Sequence, residues 1–440
     1  MKKRLFAVLA CCLALLMVLS ACGSQESEPS TAPTAAGESD PGTEPPAEGS
    51  EEPAAEPVTI TYCNFSASGG NEENLQRMYE AFQEEYPNIT VEIETLGFDD
   101  YFTQMQTRVA GGTAPDCYEL NIENFAAYAN MGVLAPIDGI DLSGMDATAL
   151  SAFEVDGVQY GLPGSFSNVV LVYNKDLFDQ ANLEYPTSDW TQDDVQAAAE
   201  AIRALGDDIY GWYQGITYSE FYKVCAQFGG GLLNEDKTEF TINSPENVAA
   251  AQMMVDRVLV SNVQPTEAQM GGMGDWDLFM SGRLGMTPTG IWSFATFADG
   301  CDFAWDIAVE PGAEQKATHF FSNAMVINAD SEKKEAAMTW INFLASSEAV
   351  ADIRINAGWE LPAINDQDIL AGYLEQTPPD NRQAVFDSLD YLVVPPVIED
   401  YALMSDIIGQ QLEAAAAGTV TVQEALDEAQ AQCEAQITLG

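Results

Sequence analysis

Apolar and polar residues alternate from Val58 to Cys63 (VTITYC), the two-residue period of a strand with one covered face. From Asn71 the period lengthens. Leu75, Met78, Tyr79, Phe82 and Tyr86 fall on one face of a helix that Pro87 ends. Ile89, Val91 and Ile93 then alternate as a second strand, and Phe102, Met105 and Val109 mark a second helix stopped by Gly111-Gly112. A third strand is expected near Pro115 to Leu120. Strands and helices alternating through short links predict a doubly wound α/β lobe with a mostly parallel sheet. Ligands of such sheets sit beyond the carboxyl ends of the strands, which singles out Phe65 to Gly70 and Asn121 to Asn124.

Further along, Val155-Asp156-Gly157-Val158 predicts a hairpin turn leading into Tyr160-Gly161-Leu162-Pro163. Asn168 to Tyr173 (NVVLVY) is apolar throughout, as in a strand covered on both faces. A capped helix should follow Thr191, using Val195, Ala198, Ala199 and Ile202, and Thr421-x-x-Glu424 is a capping box opening a last helix through Leu426, Ala429 and Cys433. No internal repeat is visible, and the later segments read as a second α/β lobe.

The first 57 residues follow a different logic. Lys2, Lys3 and Arg4 precede a 15-residue apolar run, Leu5 to Leu19, followed by Ser20-Ala21-Cys22. A spanning helix needs about 20 apolar residues, so the run reads as a signal peptide over 1–21. Leu19-Ser20-Ala21-Cys22 resembles the bacterial lipoprotein lipobox, which implies that Cys22 is acylated and becomes the first mature residue. Residues 23–57 hold seven Pro and nine acids with no aromatic, Leu, Ile, Val, Lys or Arg. That composition cannot bury apolar surface, so 22–57 should be a disordered tether reaching on the order of 100 Å from the membrane's outer face.

Charge excludes whole classes of function. Against 16 Lys plus Arg stand 69 Asp plus Glu, a formal net of −53 that repels phosphate backbones and rules out nucleic acid as a partner. One histidine, His319, leaves little for His-based metal sites or catalytic triads. Beyond Cys22 the cysteines are Cys63, Cys117, Cys225, Cys301 and Cys433; none sit at metal-ligand spacing and an odd number cannot all pair, so buried free thiols are expected, with one disulfide open. No cofactor and no metal is expected.

Nine stretches in order resemble the family 1 extracellular solute-binding proteins of ABC importers, the maltose-binding type. They are FQEEYPNITV (82–91), GGTAPD (111–116), YANMGVLAP (128–136), YGLP (160–163), LVYNKDLF (171–178), FGGGLL (228–233), FMSGRLGM (279–286) with Gly290-Ile291-Trp292, AMVINADSEKKEAAMTWINFL (324–344) and VTVQEALDEAQAQ (420–432). The resemblance implies an α/β, two-lobed periplasmic-binding-protein-like fold in which each lobe is a doubly wound sheet with flanking helices. It places three hinge crossovers near Pro163 to Ser167, Phe320 to Met325 and Asn356 to Pro362. One lobe would be 58–164 plus 322–356 and the other 165–321 plus 357–440. The ligand would lie between them, with closure delivering it to a permease; the ATPase is a separate subunit, as the missing GxxxxGK[ST] loop agrees.

The same resemblance points to ligand-holding residues. Trp292 stands where the family carries a ring that stacks on a pyranose; Trp359 lies in the third crossover, Tyr218 at the position of an aromatic wall and Tyr401 in a late helix that supplies another ring. Trp292 is the first choice, and Tyr218 and Tyr401 could equally be packing residues. Asn121 and Glu123 follow the third strand where hydroxyl-binding groups are placed, although Glu123 also suits a solvated helix start. Phe65, Ser66 and Ser68 follow the first strand, and Ser165 and Ser167 lie in the first crossover. Asp116 reads as structural, and Asn234 to Glu239 as a hairpin tip that lacks the later bidentate Glu of an EF-hand.

These readings converge on a lipid-anchored, monomeric, non-enzymatic receptor for a neutral mono- or oligosaccharide, working with an ABC permease. A polyamine is the rival ligand, because an acidic cleft attracts cations. A surface glycan adhesin suits the tether equally, and a glycosidase would need only a carboxylate pair among 69 acids.

Overall fold

The computed structural model describes residues 56–439, apart from 365–366, 397 and 399. The signal peptide, Cys22 and nearly all of the tether lie outside the described residues.

The expected opening is present: β1 (Val58–Asn64), helix Glu72–Glu85, β2 (Ile89–Thr95), helix Phe98–Ala110 and β3 (Cys117–Asn121). Leu75, Met78 and Phe82, spaced three and four apart, are the buried face of the first helix. β2, β1 and β3 are parallel neighbours, as βαβ crossovers require. The hairpin forms between Glu154–Val155 and Val158–Gln159, and its turn uses positive φ at Asp156 (53°) and Gly157 (78°), the mirror-image turn that suits strand twist. Both sequence-read caps are made: Thr191 with Asp194, and Thr421 with Glu424, each reciprocal.

The remaining strands are β4 (Gly161–Asn174), β5 (Tyr210–Trp212), β6 (Leu284–Gly290), β7 (Trp305–Ala308), β8 (Thr318–Ile327) and β9 (Leu392–Val393). The sheet runs β2-β1-β3-β8-β4-β6-β5, with β7 also on β4 and β9 on β8. Its first half is parallel until β8 enters antiparallel; its second half is mixed, with β5 parallel to β6 and β9 parallel to β8.

Two lobes are thus stitched by two long strands. β4 pairs through Gly161–Asn168 with β8, and through Val169–Asn174 with β6 and β7. Pro163 to Ser167 and Phe320 to Met325, expected as crossovers, are adjacent antiparallel segments of β4 and β8, and the third crossover joins them where Leu361 exchanges two backbone hydrogen bonds with Phe166. Apolar packing is correspondingly divided. Ile60, Met78, Phe82, Trp340 and Ile341 fill one core, whereas Phe221, Val224, Met254, Ile408 and Leu426 fill another at the far end of the second lobe.

All five cysteines of the described residues are free, four buried and Cys301 partly so. Asp116 is structural, accepting from Thr61 N (2.9 Å) and Ser331 Oγ (2.7 Å) and pairing with Lys333 (3.2 Å). The 234–239 segment is a hairpin tip: Asn234 Oδ1 accepts from Thr238 N and Glu239 N. Among the described residues no group of side chains is placed to hold a metal ion, and no helix is long and apolar enough to cross a membrane.

Candidate functional site

Where β3, β4, β8 and the third crossover meet, polar side chains replace apolar ones. Asn121, Asn323 and Ser165 are backbone partners in successive strands. Ser165 Oγ donates to Glu360, whose carboxylate also faces Asn323 Nδ2 (3.4 Å) and Arg354 Nη1 (3.5 Å). Beside them Glu119, in the middle of β3, is fully buried and accepts from Phe65 N (3.1 Å), Ser66 N (2.9 Å) and Ser66 Oγ (2.7 Å). Burial pushes its carboxyl up despite those donors.

One wall over this floor is aromatic. β6 ends at Gly290, and the Trp292 ring folds back over it so closely that any Cβ there would lie 1.9 Å from the ring. Trp292 remains 36% exposed and meets Phe321 edge-on, centroids 5.6 Å apart. Phe321 and His319 alternate on β8, so both project to one face, with rings 4.9 Å apart. His319 meets Tyr222 (5.0 Å), Tyr222 meets Tyr218 (5.7 Å), and Tyr218 meets Tyr401 (5.6 Å). Tyr218 and Tyr222 are one helical turn apart on helix Tyr218–Gln227, which Thr217 caps; Tyr401 opens helix Tyr401–Ala416. Alongside Tyr218 and Tyr401 runs an open groove of about 330 Å³, lined also by Ser219, Ser405, Asp406 and Gln410.

Glu123 faces this wall from the other lobe. It sits in the first turn of helix Ile122–Asn130, and its charge acts on Tyr218, Tyr222 and Tyr401, raising all three phenols on top of what burial does. Burial pushes the Glu123 carboxyl itself up to about 7. Its Oε2 and the Tyr218 hydroxyl are both shielded from water and make no hydrogen bond within the protein. Two unpartnered polar atoms, one of them on a carboxyl whose charge acts on the other's phenol, are what a hydroxyl-bearing ligand would satisfy.

Behind the wall lies a buried ion network. Glu220 Oε2 pairs with Lys223 Nζ (2.8 Å) and accepts from Gln214 Nε2 (2.7 Å), Lys223 also pairs with Glu310 (2.7 Å), and Glu220 Oε1 faces His319 Nε2 at 3.3 Å. Burial raises Glu220, but the Lys223 ammonium and the His319 ring outweigh it and hold the carboxyl well below the usual range. Burial and Lys223 together push His319 down, against the Glu220 carboxylate, which raises it. The second ring nitrogen, Nδ1, meets the Tyr222 hydroxyl at 2.9 Å.

The sequence-chosen residues do not all share one surface. Tyr218 and Tyr401 line the groove, Trp292 belongs to the same run of ring contacts, and Glu123 acts on Tyr218 and Tyr401 through its charge. Trp359 is apart from them: it is only 5% exposed, packs in the first lobe's core and lies under the Arg354 guanidinium, 4.3 Å away. Phe65 is buried among Phe98, Tyr101 and Phe102. Asn121 spends its Oδ1 capping the next helix, accepting from Asn124 N (3.2 Å). Ser66 binds Glu119, Ser165 binds Glu360, Ser167 is buried in β4, and Ser68 is half-buried in the turn after Phe65. Sequence reasoning passed over Tyr222, His319 and Phe321. A signal existed: Tyr222 is four residues after Tyr218, and His319-x-Phe321 precedes the AMVINAD strand with a period of two.

Three comparisons bear on this architecture. The sequence profile of the bacterial extracellular solute-binding proteins matches residues 68–351. An ABC substrate-binding protein of Listeria monocytogenes, solved in complex with cycloalternan, is 46% identical and superposes with a TM-score of 0.83 over 87% of this chain and 99% of its own. The cyclic α-maltosyl-1,6-maltose binding protein of Arthrobacter globiformis shares the fold at 24% identity, with a TM-score of 0.71 over 86% of this chain and 98% of its own. A putative binding protein of Brucella abortus is 25% identical over 391 residues, 86% of this chain and 92% of its own.

Proposed function

The chain belongs to the family of bacterial extracellular solute-binding proteins, and from that premise we propose that it captures a neutral oligosaccharide between its lobes and passes it to an ABC permease. The observation that carries this reading is the opposed pair of surfaces: an aromatic wall from Trp292 to Tyr401 against Glu123, with the Glu123 Oε2 and Tyr218 Oη buried and unpartnered. Rings accept the apolar faces of a pyranose, and carboxylate and phenol oxygens replace the water around its hydroxyls. The cycloalternan held by the 46% identical Listeria protein supports a saccharide, and a cyclic or branched one is the first to try.

Closure is a hinge motion at the three neighbouring crossovers, with lobes of about 58–164 plus 322–356 and 165–321 plus 357–440. Cys22 carries the lipid, and the acidic tether holds the monomeric receptor on the outer face of the membrane. Binding needs no cofactor, and the protein is not an enzyme.

A thermal-shift screen tests the reading, with neutral mono- and oligosaccharides including cycloalternan, polyamines and amino acids as the panel. A ligand at a hundred times its Kd adds ~2.7 kcal/mol to stability, visible as a raised melting temperature. Stabilisation by a saccharide supports the proposal. Stabilisation by a polyamine alone replaces it with the cation reading, for which Glu123 would be the counter-charge. Silence across the panel turns the weight to an adhesive role.

A further inference from the structure

The hydrogen bonds behind the aromatic wall have a direction, and it determines what the wall offers a ligand. Glu220 pairs with the Lys223 ammonium and accepts from Gln214 on one oxygen, and a carboxylate so placed is ionised and only accepts. The ring nitrogen facing its other oxygen, His319 Nε2, must therefore carry a proton. His319 is 1% exposed and has the Lys223 ammonium for a neighbour, so a second proton on the ring is disfavoured. In the neutral ring the other nitrogen is an acceptor, and what faces Nδ1 at 2.9 Å is the Tyr222 hydroxyl. Tyr222 thus gives its one proton inward. What it has left is lone pairs, and Glu123 is the first of the charged groups that act on the phenol.

We propose that His319 is a positioning residue: it holds the Tyr222 proton turned away from the gap, so that Tyr222 meets a ligand as an acceptor, joined by Glu123 in its ionised form, and selects groups that donate. Neutral saccharide hydroxyls satisfy both. A ligand carboxylate, as in an acidic sugar, can satisfy neither and brings a third set of lone pairs into the same space. The network from Glu310 through Lys223 and Glu220 serves this polarity, since it fixes which nitrogen of His319 is protonated. This inference rests on the carbohydrate reading for its ligand but not for its hydrogen bonds.

Both parts can be measured separately. His319 is the only histidine of the chain, so nitrogen NMR of histidine-labelled protein reports one ring with no assignment problem. The expected state at pH 7 is neutral with the proton on Nε2; a proton on Nδ1, or a charged ring, overturns the proposal whatever the ligand is. Calorimetric titration with a neutral oligosaccharide and its uronate-containing counterpart then reads the selectivity. His319→Gln, whose amide can both accept from Tyr222 and donate to Glu220, should keep the wild-type Kd within about threefold. His319→Leu frees the Tyr222 proton; it should weaken the neutral ligand by about tenfold, the loss of one hydrogen bond, and narrow discrimination against the acidic one. Tyr222→Phe should weaken the neutral ligand by a similar factor. If His319→Leu and Tyr222→Phe both bind and discriminate like the wild type, the positioning role is wrong. If the wild type binds no saccharide, the carbohydrate reading is what fails, and the ring measurement still judges the hydrogen bonds.

Discussion

Two tryptophans with similar sequence credentials have opposite fates. Trp292 is one-third exposed beside the gap, whereas Trp359 is packed in the first core under Arg354. Trp292→Ala should therefore cost on the order of 2–4 kcal/mol of binding, as loss of an aromatic anchor, with little change in the denaturation midpoint. Trp359→Ala should lose about 3–5 kcal/mol of stability, as for a large core truncation, and calorimetric titration beside urea melts separates the two effects. Glu123 carries a pH signature. Its carboxyl is raised from 4.5 to about 7 by burial, so between those values the folded protein holds a proton that the unfolded chain releases. Stability should fall as pH rises through that window, and Glu123→Gln should flatten the slope by roughly 1–3 kcal/mol. His319 works in the opposite sense: its folded value is depressed, so its contribution is lost as pH falls below the ordinary histidine range of about 6.5. Motif position brought Trp292, Trp359, Tyr218, Tyr401 and Glu123 forward as candidates, but it could not separate a partly exposed ring from one packed in the core. That difference depends on residues far apart in the chain, Arg354 over Trp359 and Phe321 against Trp292.

At the scale of elements, local rules were read well wherever local chemistry decides. The first βαβ units, the Asp156-Gly157 turn and the Thr191 and Thr421 caps all form. β4 was only half visible. Asn168 to Tyr173 reads as a strand, whereas Pro163-Gly164-Ser165 reads as a connection, because proline removes a ladder donor and glycine packs nothing. The strand continues through them because the pairing with β8 slips there: Ser165 faces Asn323 and Pro163 faces Ala324, leaving Gly164 as the extra residue of a bulge. No sequence period announces such a bulge, since its partner strand lies about 160 residues away. Gly290 shows the same dependence at the end of β6, where its missing side chain is what lets the Trp292 ring lie flat. Gly290→Ala should push that ring out, weakening saccharide binding by at least tenfold while the far-ultraviolet circular dichroism stays that of the wild type. Normal affinity in that variant would mean that the folded-back ring is not the binding conformation.

For the whole molecule, what mattered most was least visible: how two lobes share strands. Periodicity gives each strand its faces but not its partners, and the sheet order β2-β1-β3-β8-β4-β6-β5 jumps back and forth along the chain. The crossovers expected near Pro163 to Ser167, Phe320 to Met325 and Asn356 to Pro362 came from family resemblance, not from pattern. The arrangement carries an energetic consequence. Glu123 Oε2 and Tyr218 Oη are buried without partners when the walls face each other as here, and each such atom costs about 1–3 kcal/mol. The acidic chain adds a repulsion, since a net charge of −53 opposes bringing any two of its surfaces together. Both terms favour separation of the lobes until a ligand supplies donors to the orphaned oxygens. Small-angle scattering should then give a larger radius of gyration for the free protein than for the saccharide-bound one, with the difference shrinking in high salt as the repulsion is screened. Equal radii with and without a tightly bound saccharide would show that the walls stay together unaided. In that case the cost of the two buried oxygens must be met by water, and capture would not proceed by hinge closure.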